Sequence, residues 1–417
     1  MKRLAVLLVA GAGLWLAGGA LVRILSPESV SGHPTPKLDA ALVERGAYLA
    51  RVGNCNGCHQ APGGAAYAGG RGIATPFGTV YASNLTPDDD TGLGRWSAED
   101  FWHAVHDGRS KDGRLLYPAF PYPQYTLVKR EDADALHAYL RTRPAVKAPN
   151  RPHALRFPYD TQAALAAWRA LFFRPGEFVP EPSRPAEWNR GAYLVQGLGH
   201  CAACHAERNP LGATRDAEAL GGGTIPVQGW YAPSLADAAE AGVAAWPLDE
   251  VVALLKTGRT ATASVIGPMA EVVARSTQHW NNADARAVAT YLTSLPSQPT
   301  APPPAPRAAP AVLERGAQLY EQHCQDCHGR QGEGVGGVYP ALAGRRAVTL
   351  AEPANVIKVL LHGGYAPATA GNPRPHGMPP YAHRLSDADI AAVATHVRQS
   401  WGHRAGEVTA LQVQRQR

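Results

Sequence analysis

The first hydrophobic feature of the chain is a run rather than a pattern. After Lys2 and Arg3, residues 4 to 22 (LAVLLVAGAGLWLAGGALV) carry no charge until Arg23. Such a run suits one membrane-spanning helix or the apolar core of a long signal peptide, and its basic start is the end expected to stay cytoplasmic. The triplet Ala17 to Gly19 offers a cleavage point, but the run continues past it. A retained anchor within residues 1–30 is the favoured reading, and no later segment is apolar for long enough to span a bilayer.

Beyond the run, apolar residues recur at helical spacing, and the same order of helices comes three times. Each round opens on a related stretch, ERGAYLARVGN, NRGAYLVQGLGH and ERGAQLYEQH, whose Gly and Ala among larger apolar positions predict a helix packed closely on another. A second amphipathic stretch ends at glycine, a helix stop: SAEDFWHAVHDG, PLDEVVALLKTG and EPANVIKVLLHGG. A third helix closes each round, in DADALHAYL, DARAVATYL and DIAAVATHV. The pattern predicts an all-α protein of three tandem domains, over 38–143, 185–296 and 311–403, with a tail over 404–417. Residues 144–184 form a linker whose DTQAALAAWRALFF predicts a helix packing between domains. The proline-rich residues 297–310 predict an extended, semi-rigid spacer.

Composition adds two limits. A chain of 417 residues with 45% hydrophobic content can supply a core to each domain, so it is globular and not disordered. The net charge of +6 comes from Lys and Arg scattered in ones and twos, without a basic stripe interleaved with aromatics, and nucleic acid is excluded as a partner.

Candidate chemistry sits in the cysteines. All six fall in three copies of one motif: CNGCH with Cys55, Cys58 and His59, CAACH with Cys201, Cys204 and His205, and CQDCH with Cys324, Cys327 and His328. A lone C-x-x-C fits a dithiol or half a zinc site, whereas C-x-x-C-H is the attachment motif of c-type haem. Three copies, each followed at once by His, point to three covalently bound haem c groups held by thioethers, with His59, His205 and His328 as axial iron ligands. The three rounds are then three cytochrome c-like domains.

The second axial ligand decides whether an iron shuttles electrons or meets small molecules. Methionine is expected for electron transfer, because its soft thioether favours ferrous iron. Besides Met1 the chain has only Met269, in VIGPMAEVV, and Met378, in PHGMPPY, and both fall between the second and third helices of their rounds. Both are therefore candidate ligands. In the first round PAFPY puts Phe120 at the matching place, and a phenyl ring cannot coordinate iron. The expectation is a first haem that is five-coordinate or water-ligated, with a rearranged loop or His106 as the alternative. Pro340, in GVYPALAG, is a candidate source of a backbone carbonyl for His328. The remaining histidines, among them His103, His106, His137 and His200, read as surface or packed residues. The glycine-rich GGAAYAGGRG and GEGVGG lack the strand context of a dinucleotide site and read as loops.

With these motifs quoted, the chain resembles the three-haem cytochrome c subunit of membrane-bound periplasmic dehydrogenases. The runs TPFGTVYASNLTPDDDTGLGRWSAEDFWHAVHDG, WNRGAYLVQGLGHCAACH and GPMAEVVARSTQHW carry the likeness, which covers nearly the whole chain after the anchor. The resemblance implies an electron-transfer subunit on the periplasmic side of the bacterial inner membrane. A separate dehydrogenase catalytic subunit oxidises a small organic substrate, and the haems pass electrons to ubiquinone or a terminal oxidase. No catalytic residue is assigned to this chain. PAFPY departs from the family's Pro-Ala-Met-Pro-Tyr and keeps a second reading open, a stand-alone peroxidase-like enzyme using an open first haem. A gas sensor is disfavoured, since no output module is evident.

Overall fold

The computed structural model describes residues 37–297 and 304–417. The anchor expected within residues 1–30 lies outside the described residues, as does part of the proline-rich spacer. Among those described, no helix is long and apolar enough to cross a membrane.

Among the described residues the chain divides into two units, a first of residues up to 50 and 55–178 and a second of 179–417 with which 51–54 are grouped. In the first, helix α1 (Ala40–Val52) leads into the short helix Cys55–Cys58, and α2 (Ala98–His106), α3 (Arg130–Arg141) and α4 (Gln162–Phe172) follow. Helix α2 starts where sequence chemistry says it should. Ser97 Oγ accepts the Asp100 N–H at 3.0 Å while the Asp100 carboxylate accepts the Ser97 N–H at 2.8 Å, a reciprocal cap on two donors that a helix start leaves free. Helix α4, expected to pack between domains, lays Leu165 and Ala166 against Leu115 and Tyr117 of its own unit. Its buried Arg169 donates to the Asp107 carbonyl and lies over the rings of Tyr122 and Phe173.

The second unit contains α5 (Ala186–Tyr193), α6 (Leu248–Thr257), α7 (Gly267–Arg275), α8 (Asn282–Thr293), α9 (Pro310–His323), α10 (Ala354–His362) and α11 (Asp387–Gln399). The second and third rounds thus share one unit.

One crossing recurs in all three rounds, where the opening helix meets the closing helix. A Cβ built on Gly46 would stand 1.9 Å from the Ala135 carbonyl oxygen, one on Gly191 2.0 Å from that of Ala287, and one on Gly316 2.3 Å from that of Ala392. Only glycine lets the backbones approach so closely. The arginine just before each glycine pairs with an aspartate in the first turn of the closing helix: Arg45 with Asp132, Arg190 with Asp284 and Arg315 with Asp389. The negative group at a helix N-terminus is favoured by the helix dipole as well as by the guanidinium. In the third round the core beneath this crossing holds Leu319, Ile357, Leu361, Ile390 and Val393.

The all-α expectation needs one amendment. The fold is mostly helical, yet short antiparallel pairs occur. Gly72–Thr75 pairs with Gly78–Tyr81, which also takes Ala154–Leu155 from the segment after α3. Gly223–Thr224 pairs with Tyr231–Ala232, and Gly364–Tyr365 with Gly377–Met378. Strands of two to four residues are too short to print a period of two on the sequence.

Candidate haem sites

Each C-x-x-C-H segment is a single helical turn. The His59 N–H donates to the Cys55 carbonyl at 3.0 Å, His205 to Cys201 at 2.9 Å and His328 to Cys324 at 2.9 Å, so the first thiol and the imidazole of each motif share a face. In the first two motifs the residue before the first cysteine, Asn54 or His200, has positive φ (51° and 40°) and turns the chain sharply out of the preceding helix. No two of the six cysteines are joined in a disulfide. Burial pushes Cys55 and Cys201 up to about 12 and Cys324 up to about 11, with repulsion from the second thiol of each motif adding to it.

The histidines carry the most telling geometry. His59 Nδ1 donates to the Ser83 carbonyl at 2.7 Å, His205 Nδ1 to the Pro233 carbonyl at 2.8 Å and His328 Nδ1 to the Pro340 carbonyl at 2.9 Å. A carbonyl oxygen only accepts, so each ring carries its proton on Nδ1 and leaves the Nε2 lone pair available. Burial lowers the pKa of all three imidazoles and keeps them neutral. Two thiols and one neutral imidazole with a free Nε2 form the donor set that a covalently attached haem requires, and the residues present fit that group. Pro340 takes the part that its sequence context suggests; nothing in the sequence marks Ser83 or Pro233 for theirs.

The distal candidates are placed differently. Met378 stands in the short strand Gly377–Met378 and packs against the same apolar cluster as Cys324, while Tyr381 Oη, just beyond it, donates to the His323 carbonyl at 2.8 Å. The methionine loop and the third attachment motif therefore meet on one core. Met269 sits in the first turn of α7, entered through Gly267 at φ 54°, where a Cβ would collide with the Trp230 ring. Phe120 lies edge-on to Tyr125, with ring centroids 5.4 Å apart. Tyr125 is buried and electrostatically close to Cys55 and Cys58, so the loop carrying Phe120 does adjoin the first motif.

The other histidines are engaged elsewhere. His103 and His106 each place Nδ1 on Asp107, at 2.6 and 2.9 Å, and His106 stacks on Trp102. His137 is buried against Phe101, and His200 Nδ1 donates to the Leu198 carbonyl at 3.0 Å.

Helical rounds that each offer two thiols and a tautomerically fixed histidine define a c-type cytochrome. A model of the cytochrome c family matches residues 43–144 and 313–401. Over 99% of its length the chain is 38% identical to the cytochrome c subunit of alcohol dehydrogenase (quinone) from Gluconacetobacter polyoxogenes, spanning 90% of that protein. It is 35% identical, over 94% of its length, to the gluconate 2-dehydrogenase cytochrome c subunit of Pantoea cypripedii, spanning 93% of it. It is 33% identical, over 93% of its length, to the fructose dehydrogenase cytochrome subunit of Gluconobacter japonicus, spanning 86% of it. The chain belongs to the family of dehydrogenase cytochrome c subunits.

Proposed function

We propose that this protein is the electron-transfer subunit of a dehydrogenase complex, working through three covalently bound haems on the periplasmic side of the bacterial inner membrane. The carrying observation is the repeated Nδ1-to-carbonyl bond: three histidines, one per C-x-x-C-H motif, each with Nε2 left for iron. Cys55 and Cys58, Cys201 and Cys204, and Cys324 and Cys327 would form the thioethers; His59, His205 and His328 would each supply an iron ligand; Met269 and Met378 would supply a second ligand at the second and third haems. When bound, the haems supply one-electron ferric/ferrous couples. The chain's own residues orient the imidazoles. Substrate oxidation belongs to a separate catalytic subunit, and ubiquinone or a terminal oxidase takes the electrons. The stand-alone peroxidase-like alternative finds no support among the relatives.

The mass of the matured protein tests the haem count. It is expected to exceed the polypeptide mass by three haems, after any signal cleavage. Two or fewer in fully matured protein refutes the three-domain reading, and purification from the native membrane without a dehydrogenase refutes the subunit role.

A further inference from the structure

Helix α10 belongs to the third round, yet one of its first residues reaches into the second site. Asn355 is buried. Its Oδ1 accepts the Tyr231 N–H at 2.9 Å and its Nδ2 donates to the Tyr231 carbonyl at 2.7 Å. One carboxamide thus takes both main-chain groups of one residue, and only this orientation of the amide satisfies both. Tyr231 and Ala232 form the short strand that ends at Pro233, whose carbonyl accepts the His205 Nδ1–H. Proline's ring fixes its own φ and leaves ψ as its one free main-chain torsion, so that carbonyl is closely coupled to the main chain just before it. The first round has a counterpart. The Tyr81 N–H donates to His153 Nδ1 at 3.1 Å, and Ser83, two residues on, accepts from His59. In both cases a side chain from outside the helical round anchors the strand that serves the proximal histidine.

We propose that Asn355 is a positioning residue for the second haem, supplied by the third round: it holds the main chain of Tyr231 and thereby sets the Pro233–His205 hydrogen bond. The inference rests on His205 being that haem's ligand. A hydrogen bond at Nδ1 orients the imidazole and raises its basicity, and a more basic ligand favours ferric iron. Loosening the clamp weakens the bond, so the second haem's reduction potential should rise. The other bonds across this junction, such as Arg345 Nη2 to the Ala261 carbonyl at 2.6 Å, do not touch the Tyr231–Pro233 strand.

The test is spectroelectrochemical titration of the full-length holoprotein carrying Asn355→Ala. The second haem's wave is identified by its loss in Cys201→Ser/Cys204→Ser, which cannot attach that haem. The expected result is an upward shift of that wave alone, a threefold or larger rise in its ferrous-to-ferric ratio at fixed ambient potential. Arg345→Ala should move no wave. Should Asn355→Ala fail to accumulate, Asn355→Ser, acceptable in the first turn of a helix, should move the same wave in the same direction. An unmoved second wave, or a shift of the third haem instead, overturns the proposal. A haem count unchanged by Cys201→Ser/Cys204→Ser overturns the underlying site assignment instead.

Discussion

Replacing Gly191 by alanine isolates the contact on which the helix crossing depends. The added Cβ would lie 2.0 Å from the Ala287 oxygen and 2.8 Å from the Tyr291 Cβ, where real Cβ atoms do not come within 3.0 Å of a neighbour. Helices α5 and α8 must therefore separate by about 1 Å, which overpacking data put at about 1–3 kcal/mol. The same displacement stretches the two 2.8 Å bonds between Arg190 and Asp284, whose carboxylate is largely buried, and charged hydrogen bonds of this kind contribute about 1.5–3 kcal/mol. Alanine is intrinsically the better helix former by about 1 kcal/mol, so the sign of the effect itself reports the contact. The net cost is about 1.5–5 kcal/mol, a fall in the unfolding midpoint of about 3–20 °C for a unit of this size. Far-UV circular dichroism of the ferric holoprotein measures it. Gly221→Ala is the control, because a Cβ there meets nothing within 4 Å. A midpoint for Gly191→Ala that is unchanged or raised refutes the reasoning.

Three further outcomes follow from the sites. The unmodified protein should show a high-spin component of about one haem in three, abolished by Phe120→Met, because a thioether completes the iron's coordination and a phenyl ring cannot; three fully low-spin haems would rule out an open first site. Met269→Ala and Met378→Ala should each lower one haem's potential and open its iron to carbon monoxide, and retention of native potentials with closed irons in both would remove them as ligands. His137, buried with no partner for Nε2 among the described residues, has its pKa lowered to about 4, chiefly by burial. It is neutral when folded and protonates readily when unfolded, so stability should fall by about 3 kcal/mol as pH drops from 6.5 to about 4. His137→Phe should flatten that part of the stability curve measured by denaturant titration; an unaltered slope would show that His137 does not set it.

What the sequence by itself determined was local. The proposed haem attachment needs only five consecutive residues, since one helical turn brings the first thiol and the histidine to one face, and the motifs CNGCH, CAACH and CQDCH were legible at once. The opening, middle and closing helices were legible too, because each turns one apolar face to a core and repeats it at helical spacing. The tertiary structure decided what lies across the chain. Arg45 finds Asp132 across 87 residues, Arg190 finds Asp284 across 94, and Arg315 finds Asp389 across 74, so no fixed spacing advertises the pairs. The carbonyl that fixes each motif histidine lies 24, 28 or 12 residues on, and comes from Ser83, Pro233 or Pro340. A backbone carbonyl belongs to every residue alike; only the folded path of the loop selects which one meets the imidazole. The bond from Asn355 to Tyr231 is longer-ranged still, at 124 residues, and joins two rounds that repeat the same plan. Nothing in either stretch alone marks it, because its partner is main chain and its cause is the packing of one round on the next.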